Sequence, residues 1–473
     1  MSTFSGLGTA LSSLVAQRQS LDVAAQNVAN ANTVGYTRQR ANLVPVAGQN
    51  VPAMFSTSSG IGEGTRMASV DRLGDAFLDA KVRATSSSAS FLTARATAHA
   101  ALERSIGEPA STGLAGQLSD FWSGWADVAN GSDQEAARAV LLERGTAVAT
   151  RLHTLYGDAR TQWQESLSTA GALVDRVNTA AASIADLNRT ILAIENSGGA
   201  AHELTDQRDL LVTELSSLVG ATTRVRENGQ VDVLVAGNAL VTGDDVSELA
   251  LGGAGSFAQA MDGTAVTVVW ADRPTHPAGL EGGRVAGLLS VLAPRDQGGL
   301  LTGAAASYDQ IATAVATQVN DLHSAAVTPT GTAGGDFFTF TAGQPAALGL
   351  TVRLTHGSQI AAGGSVQDGP YDGTVAARIA ALGANADGPD SQWRAVVADI
   401  GVRTASAVSR ATVAGHAKTS AEQQQLANAG VDIDEETVNM LAFQRAYEGA
   451  ARVLTAIDEM LDTLINRTGV VGR

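Results

Sequence analysis

Residues 27–40 read NVANANTVGYTRQR and directly follow a segment whose apolar residues recur at steps of three and four. Asn27, Asn30, Asn32 and Thr33 favour turns, and Gly35 admits a positive φ; Tyr36 then precedes Arg38 and Arg40. Such a run ends a helix and does not fill a core. Upstream of it, Phe4, Leu7, Leu11, Leu14, Arg18, Leu21, Ala25 and Val28 form one heptad seam, broken only at Arg18. At the other end of the chain Met440, Phe443, Tyr447, Ala450, Leu454, Ile457, Leu461 and Leu464 repeat the pattern without a charged break. Both ends are therefore expected to be amphipathic helices of coiled-coil period. Val431-Asp432-Ile433-Asp434-Glu435-Glu436 places carboxylates where the first amides and the positive dipole end of the second helix would lie.

At 1.5 Å per residue each seam would span roughly 35 to 40 Å, and a helix of that kind alone in water is only marginally stable. The seams need each other or other neighbours. Either they fill the core of an ordinary bundle, or the two ends pair outside the main body and dock into copies of related proteins. Spacing alone does not choose between these.

The 473 residues suffice for two or three domains. Aromatic residues make up only 4%, so packing must rest on Ala, Val and Leu, which favours slender helical layers. The net charge of −16 argues against a nucleic-acid surface, which needs clustered positive charge. With no cysteine, thiolate metal sites and disulfides are excluded. MSTFSGLGTALSSLVAQRQS lacks the basic and apolar regions of a conventional signal peptide, and no stretch is apolar for the length of a membrane span. Export, if it occurs, is expected by another route.

Proline is absent between Pro109 and Pro274 and after Pro389, where apolar residues recur at helical steps. Leu114, Leu118, Phe121, Trp125 and Val128 form one stripe, and Leu152, Leu155, Ala159, Trp163 and Leu167 another that continues through Val174, Val177, Ala181, Ile184, Ile191 and Ile194. Helices are expected at about 71–106, 113–129, 133–196 and 202–219, then at 307–323 and beyond Pro389, where Trp393, Val397, Ile400, Ala407 and Ala411 share a side. Between Gly220 and Gly388, which hold more than half of the 51 glycines, the period changes to two. TTRVRENGQVDVLVAGNALV alternates on both sides of Asn228-Gly229, the signal of a hairpin with a type I′ turn. AVTVVWA (265–271) and FFTFTA (337–342) read as further strands. The fold class is thus mainly α with a β-rich insertion between N- and C-terminal helices that pack on each other.

NVANANTVGYTRQR resembles the N-terminal signature of the axial proteins of bacterial flagella. Asn27, Ala29, Asn30, Thr33, Gly35 and Tyr36 match in order; Gln26 stands where asparagine is usual and Val34 where proline is common. VDIDEETVNMLAFQRAYEGAARVLTAIDEMLDTLIN resembles the end of the hook-associated protein 1 family, the hook-filament junction proteins. QVNDLHSAA (318–326), GGDFF (334–338) and GIGEGTRMASVDRLGDAFLDAKVR (60–83) are similar to that family as well. The likeness is dense over about 1–100, 305–340 and 390–473, and a tail, Arg467 to Arg473, runs past the usual end.

The resemblance implies a structural adaptor, not an enzyme: a ring of copies on the hook, with a second hook-filament junction protein between it and the filament. It implies passage through the flagellar type III export channel with unfolded ends, from the cytoplasm to the extracellular hook-filament junction. A terminal paired-helix inner domain is expected from 1–40 with 430–473, and an elongated helical-bundle domain from 41–220 with 300–330 and 376–429. A β-rich outward domain is expected at 221–299, with 331–375 as a candidate extension. Expected subunit contacts are Phe4, Leu7, Leu11, Leu14, Leu21, Asn27, Val28, Asn30, Gly35, Tyr36, Met440, Phe443, Tyr447, Leu454, Ile457, Leu461 and Leu464. Partners would be other copies, the hook protein, the second junction protein and a dedicated export chaperone, which would bind at Met440, Phe443, Tyr447, Leu454, Ile457 and Leu461. Tyr36 would anchor against a neighbour, and Arg38 with Arg40 would be a solvated or intersubunit charge patch. A hook or rod protein is the alternative, since those share the N-terminal signature.

No chemistry competes with this. The seven histidines never fall within four residues of one another, so no His-x₃-His metal pair exists. His202-Glu203 begins no His-Glu-x-x-His motif, and the Gly60, Gly62, Gly64 cluster lacks the flanking strand and helix of a dinucleotide site. Lys418-Thr419 has no glycines at phosphate-loop positions. Asp244-Asp245 is read as a turn and Asp432 to Glu436 as a cap. No cofactor, metal, nucleic acid or membrane insertion is expected.

Overall fold

The computed structural model describes residues 3–47, 62–369 and 371–467. The chain opens with α1 (Thr3–Asn30), crosses a ribbon of β1 (Gln39–Pro45) and β2 (Thr65–Arg72), and enters α2 (Ala76–Ile106), α3 (Leu114–Asn130), α4 (Glu135–Asn196) and α5 (His202–Val219). Short strands follow: β3 (Thr222–Val225), β4 (Val231–Val235), β5 (Asn238–Thr242), β6 (Asp245–Val246) and β7 (Leu249–Gly253), then α6 (Phe257–Met261), β8 (Val266–Trp270) and β9 (Arg273–Pro277). Helices α7 (Gly283–Leu292) and α8 (Leu300–Ser324) return to the body. There β10 (Phe338–Phe340), α9 (Ala346–Gly349), β11 (Leu350–Val352) and α10 (Thr374–Ala380) lie against it, and α11 (Pro389–Ala429) and α12 (Ile433–Asp462) follow.

The helical stripes read from sequence face inward. Leu114, Leu118, Phe121, Trp125 and Val128 of α3 are all buried, as are Leu152, Trp163, Val177 and Ile184 of α4. With 62 residues α4 is about 90 Å long, so the body is elongated along it. The second helix starts at Ala76, not near 71, because Arg72 still belongs to β2 and Asp75 caps the first turn, accepting from the Phe77 and Leu78 amides at 2.8 and 3.1 Å. Antiparallel to α2 runs α11, joined by Lys81 to Gln424 at 2.7 Å near one end; at the other, Trp393 donates to Glu108 at 2.9 Å.

The β1–β2 ribbon and helix α7 lay outside the sequence expectation. The β1–β2 ribbon is antiparallel with a bulge at Asn42/Leu43, and its alternation is masked by the polar residues on both strands. Helix α7 falls within the stretch read as β-rich, because Gly283 and Gly287 break its apolar pattern. Gly287 is there for proximity: a Cβ would lie 2.6 Å from the Phe91 carbonyl of α2.

The β-rich stretch forms a four-stranded sheet, β3-β4-β5-β6, and a three-stranded sheet, β7-β8-β9. Val233, Val235, Leu240, Val241 and Trp270 are buried in a core continuous with that of the helices. The hairpin expected around Asn228-Gly229 exists, pairing Thr222 with Leu234 and Val225 with Val231, but its turn is not type I′. Only Gly229, at φ +76, is left-handed there, and its amide donates to Arg226 O at 3.2 Å, which fits a type I turn closed by a glycine. The positive pair lies one turn later, at Ala236 and Gly237, φ +47 and +80, joining β4 to β5. FFTFTA does form a strand, but β10 and β11 lie on the helical body: Phe337 packs 5.3 Å from the Trp125 ring and Phe338 5.6 Å from Phe121.

One device ties helices to the extended segments beside them. Asn320 of α8 donates to Phe338 O at 2.8 Å and accepts from Phe338 N at 2.9 Å; Asn178 and Asn188 of α4 do the same to both backbone groups of Leu249 and Val231. Each carboxamide substitutes for a neighbouring strand, satisfying backbone groups that burial would otherwise leave costly. His323, one turn past Asn320, faces Gly335 O at 2.6 Å and accepts from Ala361 N at 2.9 Å. The separate stretches QVNDLH and GGDFF are thus two halves of one contact.

Candidate assembly surface

The terminal helices α1 and α12 pack on each other, and α1 also covers the β1–β2 ribbon; neither contributes a residue to the main hydrophobic core. They run antiparallel, with Gly6 against Ile457 at one end and the Asn27 turn near Glu436 at the other. Ala10, Ala16, Ser20 and Ala24 of α1 are buried, and Ala450 and Ile457 of α12. Small side chains at the contact let the two backbones approach.

The seam residues divide between inside and outside. Leu7, Leu14, Leu21, Val28, Met440, Phe443, Leu454 and Leu461 are half-buried, whereas Leu11, Tyr447 and Leu464 are exposed, as is Ala25. The side chain of Phe4 and the tail beyond residue 467 lie outside the described residues. The open apolar side chains lie largely off the heptad seam: Val438, Leu441, Val453 and Met460 are each at least 50% exposed. The helices' own partnership takes part of the seam that the sequence assigns to neighbouring molecules.

The stretch NVANANTVGYTRQR is a junction that ties α1 to the ribbon, to α5 and to α12. Asn27, buried at the end of α1, donates to Gln39 O at 2.7 Å and accepts from Gln39 N at 2.9 Å, the same clamp seen on α4 and α8. The Tyr36 hydroxyl donates to Asn27 Oδ1 at 2.9 Å, so Tyr36 anchors against its own helix. Burial first, then Glu203, Asp206 and Glu436, pushes that phenol up to about 12. Asn30 donates to Gln26 O at 3.0 Å and accepts from Thr33 at 3.2 Å, while Gly35 takes φ +83.

Arg38 is not a solvated patch. Its Nε lies 2.7 Å from Glu436 Oε1, its two terminal nitrogens grip Glu435 at 2.8 and 3.0 Å, and its amide donates to Ala429 O at 2.9 Å. The hydrogen bond to Glu435 raises the guanidinium further above its already high value and holds the Glu435 carboxyl below the ordinary range. Arg40 is exposed, as expected. On the other side, Thr37 N donates to Asp206 at 3.0 Å, and Arg72 bridges Asp206 and Asp209 of α5 at 2.5 and 3.0 Å. Asp432 caps α12, accepting from the amides of Asp434 and Glu435 at 2.9 and 3.2 Å. These acidic partners escaped the sequence reading because they lie far along the chain; the one local signal, the acidic first turn of α12, read simply as a cap.

Among the described residues no group of three or more His, Asp or Glu could hold a metal, and no helix is long and apolar enough to cross a membrane.

Residues 7–37, α1 with its turn, match a family described as flagella basal body rod protein, and 422–467 match the flagellar basal body rod FlgEFG protein C-terminal family. Residues 99–338 match the flagellar hook-associated protein FlgK helical domain. Flagellar hook-associated protein 1 of Bacillus subtilis is 30% identical over the whole of both chains. The chain belongs to the flagellar hook-associated protein 1 family. The Escherichia coli member is 26% identical, covering 97% of this chain and 99% of its own. A solved flagellar hook junction protein FlgK from Burkholderia pseudomallei is 27% identical over 55% of this chain and 46% of its own. Its TM-score is 0.47, below the level at which one arrangement of elements can be read from another. Membership makes this chain a structural, hook-associated component of the bacterial flagellum, part of its axial structure and of the motility apparatus. Rod-type matches are confined to the two ends, whereas the hook-associated relatives match throughout.

Proposed function

We propose that the chain joins hook to filament as a ring of copies, with the second junction protein between it and the filament. It reaches that place through the flagellar type III channel, with its ends unfolded and α12 held by the export chaperone in the cytoplasm. The observation that carries this reading is the terminal pair itself. It stands outside the main core and leaves Leu11, Val438, Leu441, Val453 and Met460 at least half exposed, apolar groups that a neighbouring subunit would cover. Covering them gains about 25 cal/mol per Å² of apolar surface, and ordering the ends opposes that gain, which couples folding of the ends to assembly.

The inner, bundle and outward parts expected from the sequence are retained as the layout within the tube: the α1–α12 pair innermost, the long helices around it, and the two small sheets facing out. Loss of the protein tests the role. Cells lacking it should build complete hooks, bear no filament and release filament subunits into the medium. Arrest before the hook is finished would instead assign the chain to an earlier axial position.

A further inference from the structure

The clearest unexplained site lies far from the terminal pair, in a cleft of about 280 Å³ between α2, α7 and α11. Its wall carries Arg95 and His99 of α2, Ser290 of α7, and Arg403, Ser406 and Arg410 of α11. Arg403 is paired with Asp399 at 2.9 Å. Neither Arg95 nor Arg410 meets a carboxylate among the described residues; Arg95 rests 5.7 Å over the Phe91 ring. In a chain of net charge −16, two arginines in one cleft without matching acids, beside a third that has one, form a local exception that attracts an anion.

A second observation points the same way. His99 is 7% exposed, and its Nδ1 is buried with no hydrogen-bond partner among the described residues. A buried polar atom of that kind is costly unless something arrives to bond it. Burial, then Arg95 and Arg403, hold the imidazole below its ordinary value, so the ring is neutral, and in one tautomer Nδ1 donates. Arg95 and Arg410, donors only and with no carboxylate of their own, call for an occupant that accepts hydrogen bonds and carries negative charge.

The rim of the cleft decides what bears that charge. Val402 lines it at 71% exposure, and Val413 stands exposed further along α11, a helix whose only buried residues are Pro389, Trp393, Ile400, Thr404 and Ala421. Apolar side chains beside an arginine cluster suit a protein surface better than a free ion, since both can be buried together. With 47 acidic against 31 basic residues, a second copy of this chain offers carboxylates in excess. We propose that this cleft is a socket for a carboxylate side chain of a second copy of this chain, gripped by Arg95, Arg410 and His99. The inference rests on the ring-forming role and adds to it a lateral contact in the helical body, distinct from the terminal pair.

The chain has no cysteine, so Ser406→Cys places a single thiol at the socket. Labelled there with a benzophenone and irradiated in assembled flagella built from mixed light and ¹⁵N-labelled copies, it should cross-link to an Asp- or Glu-bearing segment of another copy. The double variant Arg95→Glu/Arg410→Glu should need at least tenfold more protein to assemble, while Arg95→Lys/Arg410→Lys stays within about threefold of the parent, both monomers melting as the parent does. Cross-links confined to one chain, or made only to other flagellar proteins, would overturn the proposal, and so would unchanged assembly of the Glu variant. Inorganic phosphate binding to the monomer with no link between copies would show a free-anion site instead, and overturn it too. A parent chain that forms no ring at all would sink the ring-forming role, and this contact with it.

Discussion

Arg38 Nε and Glu436 Oε1 lie 2.7 Å apart although the two residues are separated by 398 positions. The Glu436 side chain is only 4% exposed, so the arginine both neutralises a buried carboxylate and fixes the start of α12 to the turn that ends α1. Removing one partner of such a pair leaves a buried charge. Arg38→Met should cost about 3 kcal/mol in the local stability of the terminal pair and open the chain near Gly430 to protease. The double variant Arg38→Met/Glu436→Met should recover most of the loss. Equal protection of Arg38→Met and the parent in a proteolysis time course would show that the pair holds nothing together.

The stripe assigned to the export chaperone is partly occupied in the folded chain. Ile457 is buried, and Met440, Phe443, Leu454 and Leu461 are half-buried beside α1, so a chaperone seated on them must displace that helix. Deleting residues 3–30 should then raise chaperone affinity several-fold in calorimetry, whereas Ile457→Asp should abolish binding with or without α1. Affinity indifferent to α1 would place the chaperone on the open side of α12, around Val438, Leu441 and Val453.

Most of the helical body was legible because it obeys local rules. Leu114 through Val128 and Leu152 through Ile184 repeat at helical spacing, and burial follows the repeat. The junction was half legible. Asn27, Asn30 and Gly35 could be read as a turn, but nothing beside Arg38 announces Glu435 and Glu436, and nothing beside Asn27 announces that its partner is the backbone of Gln39. The β1–β2 ribbon and α7 were missed for opposite reasons. The ribbon carries charge on both faces, while α7 has glycines at Gly283 and Gly287 where close packing on its neighbours requires them. The turn chemistry misled once: Asn228-Gly229 has the residues of a type I′ turn, yet Ala236-Gly237 has the geometry.

That misplacement has a measurable consequence. Ala236 holds φ +47, a conformation in which a Cβ costs on the order of 1 kcal/mol and which asparagine tolerates better. Ala236→Asn should stabilise the chain by about 0.5 to 1 kcal/mol in urea unfolding, with an unchanged m value. A fall in stability would mean that Ala236 makes packing contacts that outweigh its backbone.

His323 gives the body a pH dependence. Burial pulls the imidazole below its ordinary 6.5, outweighing the hydrogen bond to Gly335 O and Asp336, which act the other way. The unfolded chain therefore binds the proton more readily, so stability is full above pH 6.5 and falls as pH drops below it toward the folded value, by up to about 1.4 kcal/mol per pH unit for one histidine. His99 shifts in the same direction and adds to the slope. Between pH 7.5 and 5.5 the melting temperature should fall. His323→Gln should start lower, having lost the fit to Gly335 and Ala361, and fall less. A parallel decline of parent and variant would assign the acid sensitivity to other groups.

The separation of the terminal pair from the core predicts what trimming the ends will do. The main core runs from Ala94 to Ile400 and includes no residue of α1 or α12, so removing residues 1–35 and 435–473 takes away none of it. What the body loses is the cover of α1 over the β1–β2 ribbon, the Asn27 clamp on Gln39 and the Arg38 contacts with Glu435 and Glu436. The trimmed protein should remain soluble and helical by circular dichroism, melt in a single cooperative step close to the parent's main transition, and fail to assemble. Loss of cooperative melting would mean that the body draws its stability from the ends, and the terminal pair would then be part of the bundle instead of a separate assembly element.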